Sequence, residues 1–460
     1  FTSAAGTNAP NSASAIVFID ANCTIPVKTG GVTIGTLVVS SGKTLTVSNG
    51  EVLNVTKVDN TGTASRLVLN DGAQLIIPQN TGVKATLKKT TAASTAKTTN
   101  NWYAIASPVN NVAISSFAQG THNVYRYDEV ESEWEEYRDS HNIFNNLDNG
   151  RGYLYRSTTA NIEFAGDVNT GKYTYPLTYT TTAGDHKGFH LIGNPYPHII
   201  YKGTGTAVEN TYLEDGFYKL KADGTWLASN DNSTAINVNE GILVQAKSTV
   251  NGQNLTILDK TATGAKAGND KIMFTVENAD YTDVSYVLFK EGRGLNKVDH
   301  RNADIPMLYV INEGEKFGIA DMPDNTSVIN LGFEAKTMGQ YTLSVKANGM
   351  FSYLHLVDKM TGNDIDLLAE PTYSFVGAPT DNANRFTVNL GYNTGDDIFA
   401  FQNGDDIIVS GKGELQVFDV TGRLVMRKNI NGVETCHVAN LQTGVYIFRL
   451  NEKSQKILIK

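Results

Sequence analysis

Short apolar runs that alternate residue by residue and stop at Gly, Asn or Asp set the limits on what this chain can become. Thr44-Leu45-Thr46-Val47 and the stretch from Val52 to Val58 alternate polar with apolar, and SG, NG, TG and DG pairs separate such runs along the chain. A period of two puts alternate side chains on opposite faces of a strand, and Gly, Asn and Asp supply the turns between strands. Long Ala/Leu/Glu/Lys stretches of helical period are missing, so the reading is all-β. With 40% hydrophobic and 18% charged residues among 460, the chain is a folded one, of about three to four domains.

The runs group into successive segments. Residues 1–90 hold IVFI, VTIGTLVVS, KTLTVS, EVLNVTKV, RLVLN and AQLII, whose close spacing predicts a short β-helix-like coil or a meander. A low-complexity linker, 91–101, follows. Residues 102–262 read as an internal duplication. Trp102 to Pro108 aligns with Phe189 to Pro195, Val124-Tyr125-Arg126 with Phe217-Tyr218-Lys219, Trp134 with Trp226, and Gly152 with Gly241. Pro ends a strand and Gly re-enters one, so the two halves are expected to form one duplicated β-sandwich or barrel. Residues 263–400 hold eight strand candidates, from KIMFTVEN to RFTVNLG, in the pattern of a β-sandwich. After an acidic linker, residues 407–460 alternate strongly, with Thr421-Gly422 and Asn431-Gly432 as turn signals and room for six or seven strands.

In that last segment stand Val417-Phe418-Asp419-Val420-Thr421-Gly422-Arg423, then Gly444-Val445-Tyr446-Ile447-Phe448-Arg449-Leu450, then Lys456-Ile457-Leu458-Ile459-Lys460. These resemble, in order and spacing, the C-terminal sorting domain of cargo exported by the type IX secretion system of Bacteroidota. The resemblance implies an Ig-like sorting domain whose signal lies in Asp419, Gly422, Arg423, Gly444, Tyr446, Arg449, Lys456 and Lys460. It also implies the outer-membrane translocon as partner, an extracellular or cell-surface destination, and release or attachment to surface polysaccharide. Leu356 to Gly362, Asp366-Leu367-Leu368, Tyr373-Ser374-Phe375 and Asn384-Arg385-Phe386 resemble the spacer β-sandwich that precedes such domains.

Candidate chemistry is sparse. The chain shows no GxSxG elbow, HExxH helix, P-loop or dinucleotide fingerprint. A net charge of −9 with scattered Lys and Arg argues against nucleic acid as a partner, and no apolar run reaches the roughly 20 residues of a membrane helix. The opening FTSAAGTNAPNSASA reads like a mature N-terminus after a signal has been removed. Cys23 and Cys436 stand at opposite ends of the chain, as two buried thiols or as one bridge between the first and last domains. His186, His190 and His198 are expected on turns and strands, His186 and His190 too far apart along a strand to share a metal. Asp128, Glu129, Glu131, Glu133, Glu135 and Glu136 surround Trp134, with Glu129, Glu131, Glu133 and Glu135 expected on one solvated face; Ca²⁺ is the alternative there. Asp396, Asp397, Asp405 and Asp406 offer a second Ca²⁺ alternative; no other cofactor is expected. Trp102, Tyr125, Trp134 and Tyr153 are ligand-binding candidates, since aromatic faces stack on sugars, against core filling as the plain alternative. The leading expectation is a non-enzymatic structural or adhesive surface protein with a host or neighbouring-cell ligand. A glycan-binding module and a hydrolase with an unrecognised site are the others.

Overall fold

The computed structural model describes residues 11–59, 62–78, 82–94, 101–139, 144–182, 186–263, 271–349, 351–392, 399–403, 406–438 and 441–459. The chain divides into two compact units, residues 1–267 with 294–303, and residues 268–293 with 304–460. It is all-β, and helix appears only as turns such as Ala64–Arg66 and Ile114–Phe117 among the described residues.

The first unit begins as a solenoid. Its strands are β1 (Ser12–Ile19), β2 (Cys23–Ile25), β3 (Val32–Val39), β4 (Leu45–Val47), β5 (Val52–Asp59), β6 (Leu67–Leu69), β7 (Gln74–Ile76) and β8 (Lys84–Lys89). Odd-numbered strands stack in parallel in one sheet and even-numbered strands in another. A meander would pair neighbours in antiparallel, so the β-helix-like alternative is the one realised. Cys23 pairs with Leu45, and Leu45 with Leu67, so equivalent side chains stack coil upon coil. The inward residues Leu45, Leu53, Leu67 and Leu75 are fully buried. Turns repeat too. The N–H of Glu51 bonds the Ser48 carbonyl and that of Ala73 the Asn70 carbonyl, with Gly50 and Gly72 at φ +73° and +72° between them.

The chain then runs through β9 (Tyr103–Ile105), β10 (Val112–Ala113), β11 (His122–Asp128), β12 (Glu133–Glu136), β13 (Asn146–Leu147), β14 (Tyr153–Ser157) and β15 (Ile162–Asp167). A second series follows, β16 (Tyr173–Pro176), β17 (Phe189–Gly193), β18 (Phe217–Leu220), β19 (Trp226–Ser229), β20 (Gly241–Gln245) and β21 (Asn254–Ile257). Two four-stranded sheets result, β12-β11-β14-β9 and β19-β18-β20-β17, with the same strand order. Each series also pairs its first strand with its last, β8 with β15 and β16 with β21. The repeating body therefore starts at β8, which is also the last strand of the solenoid. Antiparallel β15 closes that solenoid edge, which would otherwise expose unpaired ladder groups. Solenoid and first repeat share one apolar cluster, running from Val17 to Val168 and joined by Val238.

The junction between the repeats is reciprocal. Ile105 bridges Glu240 while Ile192 bridges Arg151; the Ala106 N–H bonds the Asn239 carbonyl at 3.3 Å while that of Gly193 bonds the Gly150 carbonyl at 2.9 Å. Only glycine fits there: a Cβ on Gly193 would stand 2.4 Å from the Ala106 Cβ and 2.5 Å from the Arg151 carbonyl oxygen. The Ser-Pro and Asn-Pro landmarks are side-chain-capped turns. Ser107 Oγ accepts from the Val109 N–H at 3.3 Å and Asn194 Oδ1 from the Tyr196 N–H at 2.9 Å.

In the second unit the strands are β22 (Lys271–Glu277), β23 (Thr282–Phe289), then β24 (Gly294–Asn296), which belongs to the first unit, then β25 (Met307–Asn312), β26 (Glu315–Met322), β27 (Val328–Glu334), β28 (Gly339–Asn348), β29 (Phe351–Asp358), β30 (Asp364–Asp366), β31 (Thr372–Gly377) and β32 (Phe386–Tyr392). They form one path, β30-β29-β32-β27-β25-β26-β23-β22-β28-β31. The path folds over on itself as a sandwich, since Phe333 on β27 meets Phe375 on β31 at 5.1 Å although five strands lie between them. Sequence reading missed β26. Charged ends, Gly318 and a buried Asp321 hide its alternation, yet it lies mid-sheet, with Asp321 paired to Lys290 at 3.2 Å.

The tail contains β33 (Ala400–Asn403), β34 (Asp406–Asp419), β35 (Leu424–His437), β36 (Gly444–Leu450) and β37 (Lys453–Ile459). The six or seven expected strands are thus fewer and longer. Asn431-Gly432 is no turn: Gly432 pairs with Gly411 inside a hairpin of two 14-residue strands, both glycines at positive φ. The Gln455 side chain binds the backbone of Phe399 and Ala400, closing the small core around Leu415, Val417 and Phe448.

Candidate functional site

Three of the four aromatic candidates converge, and the agent is an arginine. Trp102 precedes β9 and packs on Tyr125 of β11 at 5.8 Å. Trp134 of β12 pairs with Tyr127 across the hairpin, ring to ring at 5.0 Å. The Arg301 guanidinium stands 4.8 Å from the Trp102 ring and 5.7 Å from that of Trp134. Arg301 arrives on the 294–303 segment, which is fixed by its own N–H to the Gly224 carbonyl at 2.8 Å and by the Trp226 N–H to His300 Nδ1 at 3.1 Å. Tyr153 lies apart, fully buried, its hydroxyl accepting from the Asp148 N–H at 2.8 Å. It is a core residue, and burial raises its pKa far above the usual tyrosine value.

A second guanidinium, Arg156 of β14, stands 5.3 Å from the Trp102 ring with only 6% of its surface exposed. Nη1 of Arg156 and Nε of Arg301 are buried without a hydrogen-bond partner. Neither arginine pairs with a carboxylate among the described residues. Burial lowers both guanidinium pKa values, Tyr125 opposing it in each, and at Arg301 the charge of Arg156 adds to the lowering. Beside Arg301 a cavity of about 190 Å³ is lined by Tyr127, Trp134, Phe189, Trp226 and His300, with one carboxylate, that of the exposed Asp299, at its wall. At ~30 Å³ per water it admits a small group, not a polymer.

The acidic hairpin does not act as one face. Glu129 turns inward and accepts from the N–H groups of Thr180 at 2.6 Å and Gly188 at 2.7 Å. Its pKa falls, the hydrogen bonds from Thr178, Thr180 and Gly188 outweighing a burial effect that acts upward. Glu135 pairs with Arg126, and Glu136 with Arg138 at 2.8 Å, while Glu131 and Glu133 stay exposed. The turn at 129–132 breaks the alternation that would have aligned them. Asp406 pairs with His437 at 2.6 Å; Asp396, Asp397 and Asp405 lie outside the described residues.

The histidines separate as well. His186 lines the cavity, and His190 is buried against Tyr175, its pKa pushed down by burial. His198 pairs with Asp259 at 2.7 Å on the wall of an open groove of about 780 Å³. Cys23 and Cys436 are both free thiols.

In the tail, Asp419 organises the exposed hairpin tip. Its carboxylate accepts from the Thr421 hydroxyl at 2.6 Å, the Thr421 N–H at 2.9 Å and the Arg423 N–H and Nε at 3.0 Å. These bonds, the Thr421 hydroxyl first, hold it at about 2. Gly422 takes the turn at φ +81°. Tyr446 is buried with its hydroxyl on the Gln442 carbonyl at 2.9 Å. Gly444 starts β36, from which Arg449 points outward, as does Lys456 from β37. Lys460 lies outside the described residues. In the sandwich, Asp358, Tyr373 and Arg385 meet in one buried knot, Arg385 at 2.9 and 3.0 Å and the Tyr373 hydroxyl at 3.0 Å from the Asp358 carboxylate.

Fold and tail together define an all-β, multidomain cargo protein carrying its export address at the C-terminal end. Comparison with known families agrees: residues 396–460 match the secretion system C-terminal sorting domain, and residues 5–216 match a domain of unknown function (DUF8693). The tail marks the chain for the type IX secretion machinery and for the extracellular space or cell surface. The second match runs from the solenoid through the first repeat, which share one core, into the second repeat, whose Tyr175, Ile192 and Tyr196 belong to another. Neither the curated proteins nor the solved structures gave a match.

Proposed function

We propose that the exported chain is a non-enzymatic surface protein of structural or adhesive type, which binds a host, matrix or neighbouring-cell ligand without turning it over. The observation carrying this reading is how its carboxylates are used. Glu129, Asp223, Glu334, Asp358, Asp419 and Glu434 are all held below their ordinary pKa by donors from nearby turns and strands of the chain itself. Such groups serve as ties. A general acid needs the opposite displacement, a carboxyl kept protonated near neutrality.

The clustering of Tyr125 and Trp134, both part-exposed, beside the buried Trp102 favours a glycan as the ligand, because accessible indole and phenol faces stack on sugar rings. The test presents the purified full chain to cultured cells, to extracellular-matrix proteins and to a glycan array, with product analysis alongside. Saturable attachment without product release is expected. Catalytic release of sugar or peptide fragments refutes the proposal and restores the hydrolase reading.

A further inference from the structure

We propose that the first repeat carries a site for an anionic saccharide, its carboxylate or sulfate held by Arg156 and Arg301 over Trp102. This deepens the binding reading above and rests on it.

The internal duplication provides the template. Counting from Gly152 and Gly241, Arg156 occupies the position of Gln245, Trp102 that of Phe189, and Tyr125 that of Tyr218. Both tyrosines sit across from a leucine, Tyr125 from Leu154 and Tyr218 from Leu243. In the second repeat the chain fills this place itself. Asn296 donates its N–H to Gln245 Oε1 at 2.9 Å, accepts from Gln245 Nε2 through its side chain at 2.7 Å, and accepts from the Tyr218 hydroxyl through its carbonyl at 2.6 Å. A neutral amide and a phenol are thereby satisfied by backbone and carboxamide.

In the first repeat the amide is replaced by a guanidinium, and among the described residues none plays the part of Asn296. Arg156 Nη1 has no acceptor, Arg301 brings a second positive charge with a buried, unpartnered Nε, and both stand over one indole. A buried cation without a counter-charge is costly, so an acceptor carrying negative charge completes the arrangement. Trp102, 5% exposed, backs the two guanidinium groups, while the part-exposed rings of Tyr125 and Trp134 and the adjoining cavity of about 190 Å³ add a stacking surface for the ring that bears the anion. An acidic sugar satisfies both demands. A neutral sugar meets only the second, and an inorganic anion only the first.

The experiment is titration calorimetry on the full chain with four probes: oligogalacturonate for the carboxylate, a heparin-derived tetrasaccharide for the sulfate, neutral cellotetraose, and an acidic peptide. Arg156→Gln, which installs the residue of the second repeat, and Arg301→Gln are run beside the native chain, each checked for a native-like melt. One or both anionic sugars should bind, more weakly as salt is raised, and each substitution should weaken binding about tenfold or more. The arm that binds identifies the anion. Equal binding of cellotetraose, indifference to both substitutions, or binding of the peptide alone overturns the inference while leaving a surface-binding role in place. If no saccharide binds yet the chain still attaches to cells or matrix, the inference fails alone. If attachment is also absent, the binding reading fails with it.

Discussion

Removing the Asp358 carboxylate should be among the most damaging single changes in the spacer sandwich. Its side chain is 0% exposed and that of Arg385 2%. The carboxylate accepts from two Arg385 nitrogens, the Tyr373 hydroxyl and the Met360 N–H, tying β29 to β31 and to the residue that leads into β32. Asp358→Ala leaves a buried guanidinium with Asp381 at 3.1 Å and the Val376 carbonyl at 2.9 Å. Breaking one side of such a pair costs about 3–5 kcal/mol. Because Asp381 stays, the lower end applies, and at about 3 °C per kcal/mol the sandwich transition should fall by roughly 10 °C. The pair itself is a different quantity, since two charges were desolvated to make it. In Asp358→Ala/Arg385→Met the stranded charge is gone, and a flexible apolar chain covers the Phe375 and Phe386 rings that the guanidinium now covers. The double variant should therefore be more stable than Asp358→Ala alone, by about 1 kcal/mol or more. Scanning calorimetry on full-length native, single and double variants measures this. A double variant as unstable as the sum of the singles, or an Asp358→Ala cost under about 1 kcal/mol, would refute the reasoning.

Other consequences follow from the same geometry. Gly193→Ala forces a Cβ against the Ala106 Cβ and the Arg151 carbonyl and should cost about 1–3 kcal/mol or more, whereas Gly339→Ala, which meets nothing within 4 Å, should stay within about 0.5 kcal/mol in urea titrations. His190, whose pKa is depressed by burial, should remain neutral in the ring NMR signals below the ordinary histidine value of about 6.5. Its unfolded form binds a proton first, so stability present above about pH 6.5 should decline as the pH falls below it, and His190→Gln should flatten that decline. Deleting residues 396–460 should retain the protein inside the cell in fractionation experiments, and undiminished surface delivery would separate the tail from export.

Much of this architecture was legible because its signals are local. Alternation marks strands, and stacked coils return similar residues at a fixed interval, as Leu45 and Leu67 do. The paired Trp, Pro and Gly landmarks survive in both repeats because each answers a steric demand at the same place in the sheet. What was not legible depends on pairing across distance. β26 reads as a polar loop until it is placed between β23 and β25. The acids around Trp134 look like one face until Glu129 is seen bonded to the 180–188 segment. Arg156 could have been found by extending the repeat alignment four residues past Gly152, where it faces Gln245. Nothing in the sequence brings Arg301 to Trp102, because that contact exists only once the chain returns from the second unit's strands to the first unit.

The contrast between Gln245 and Arg156 carries a thermodynamic signature of its own. A side chain retained for packing should lower stability when replaced; a charge held unpaired for an incoming partner should do the reverse. Arg156→Gln removes one of two mutually repelling, poorly solvated guanidinium groups and leaves an amide that the same scaffold tolerates in the second repeat, so the unliganded first unit should gain about 1 kcal/mol. The native chain should instead gain stability from the acidic sugar, about 2.7 kcal/mol at a concentration one hundred times the dissociation constant, and the variant should gain almost none. Thermal melts with and without oligogalacturonate or the sulfated tetrasaccharide read both effects at once. A variant less stable than the native chain without ligand would make Arg156 a packing residue, its unpaired Nη1 a tolerated cost of covering Trp102 and not a vacancy awaiting an anion.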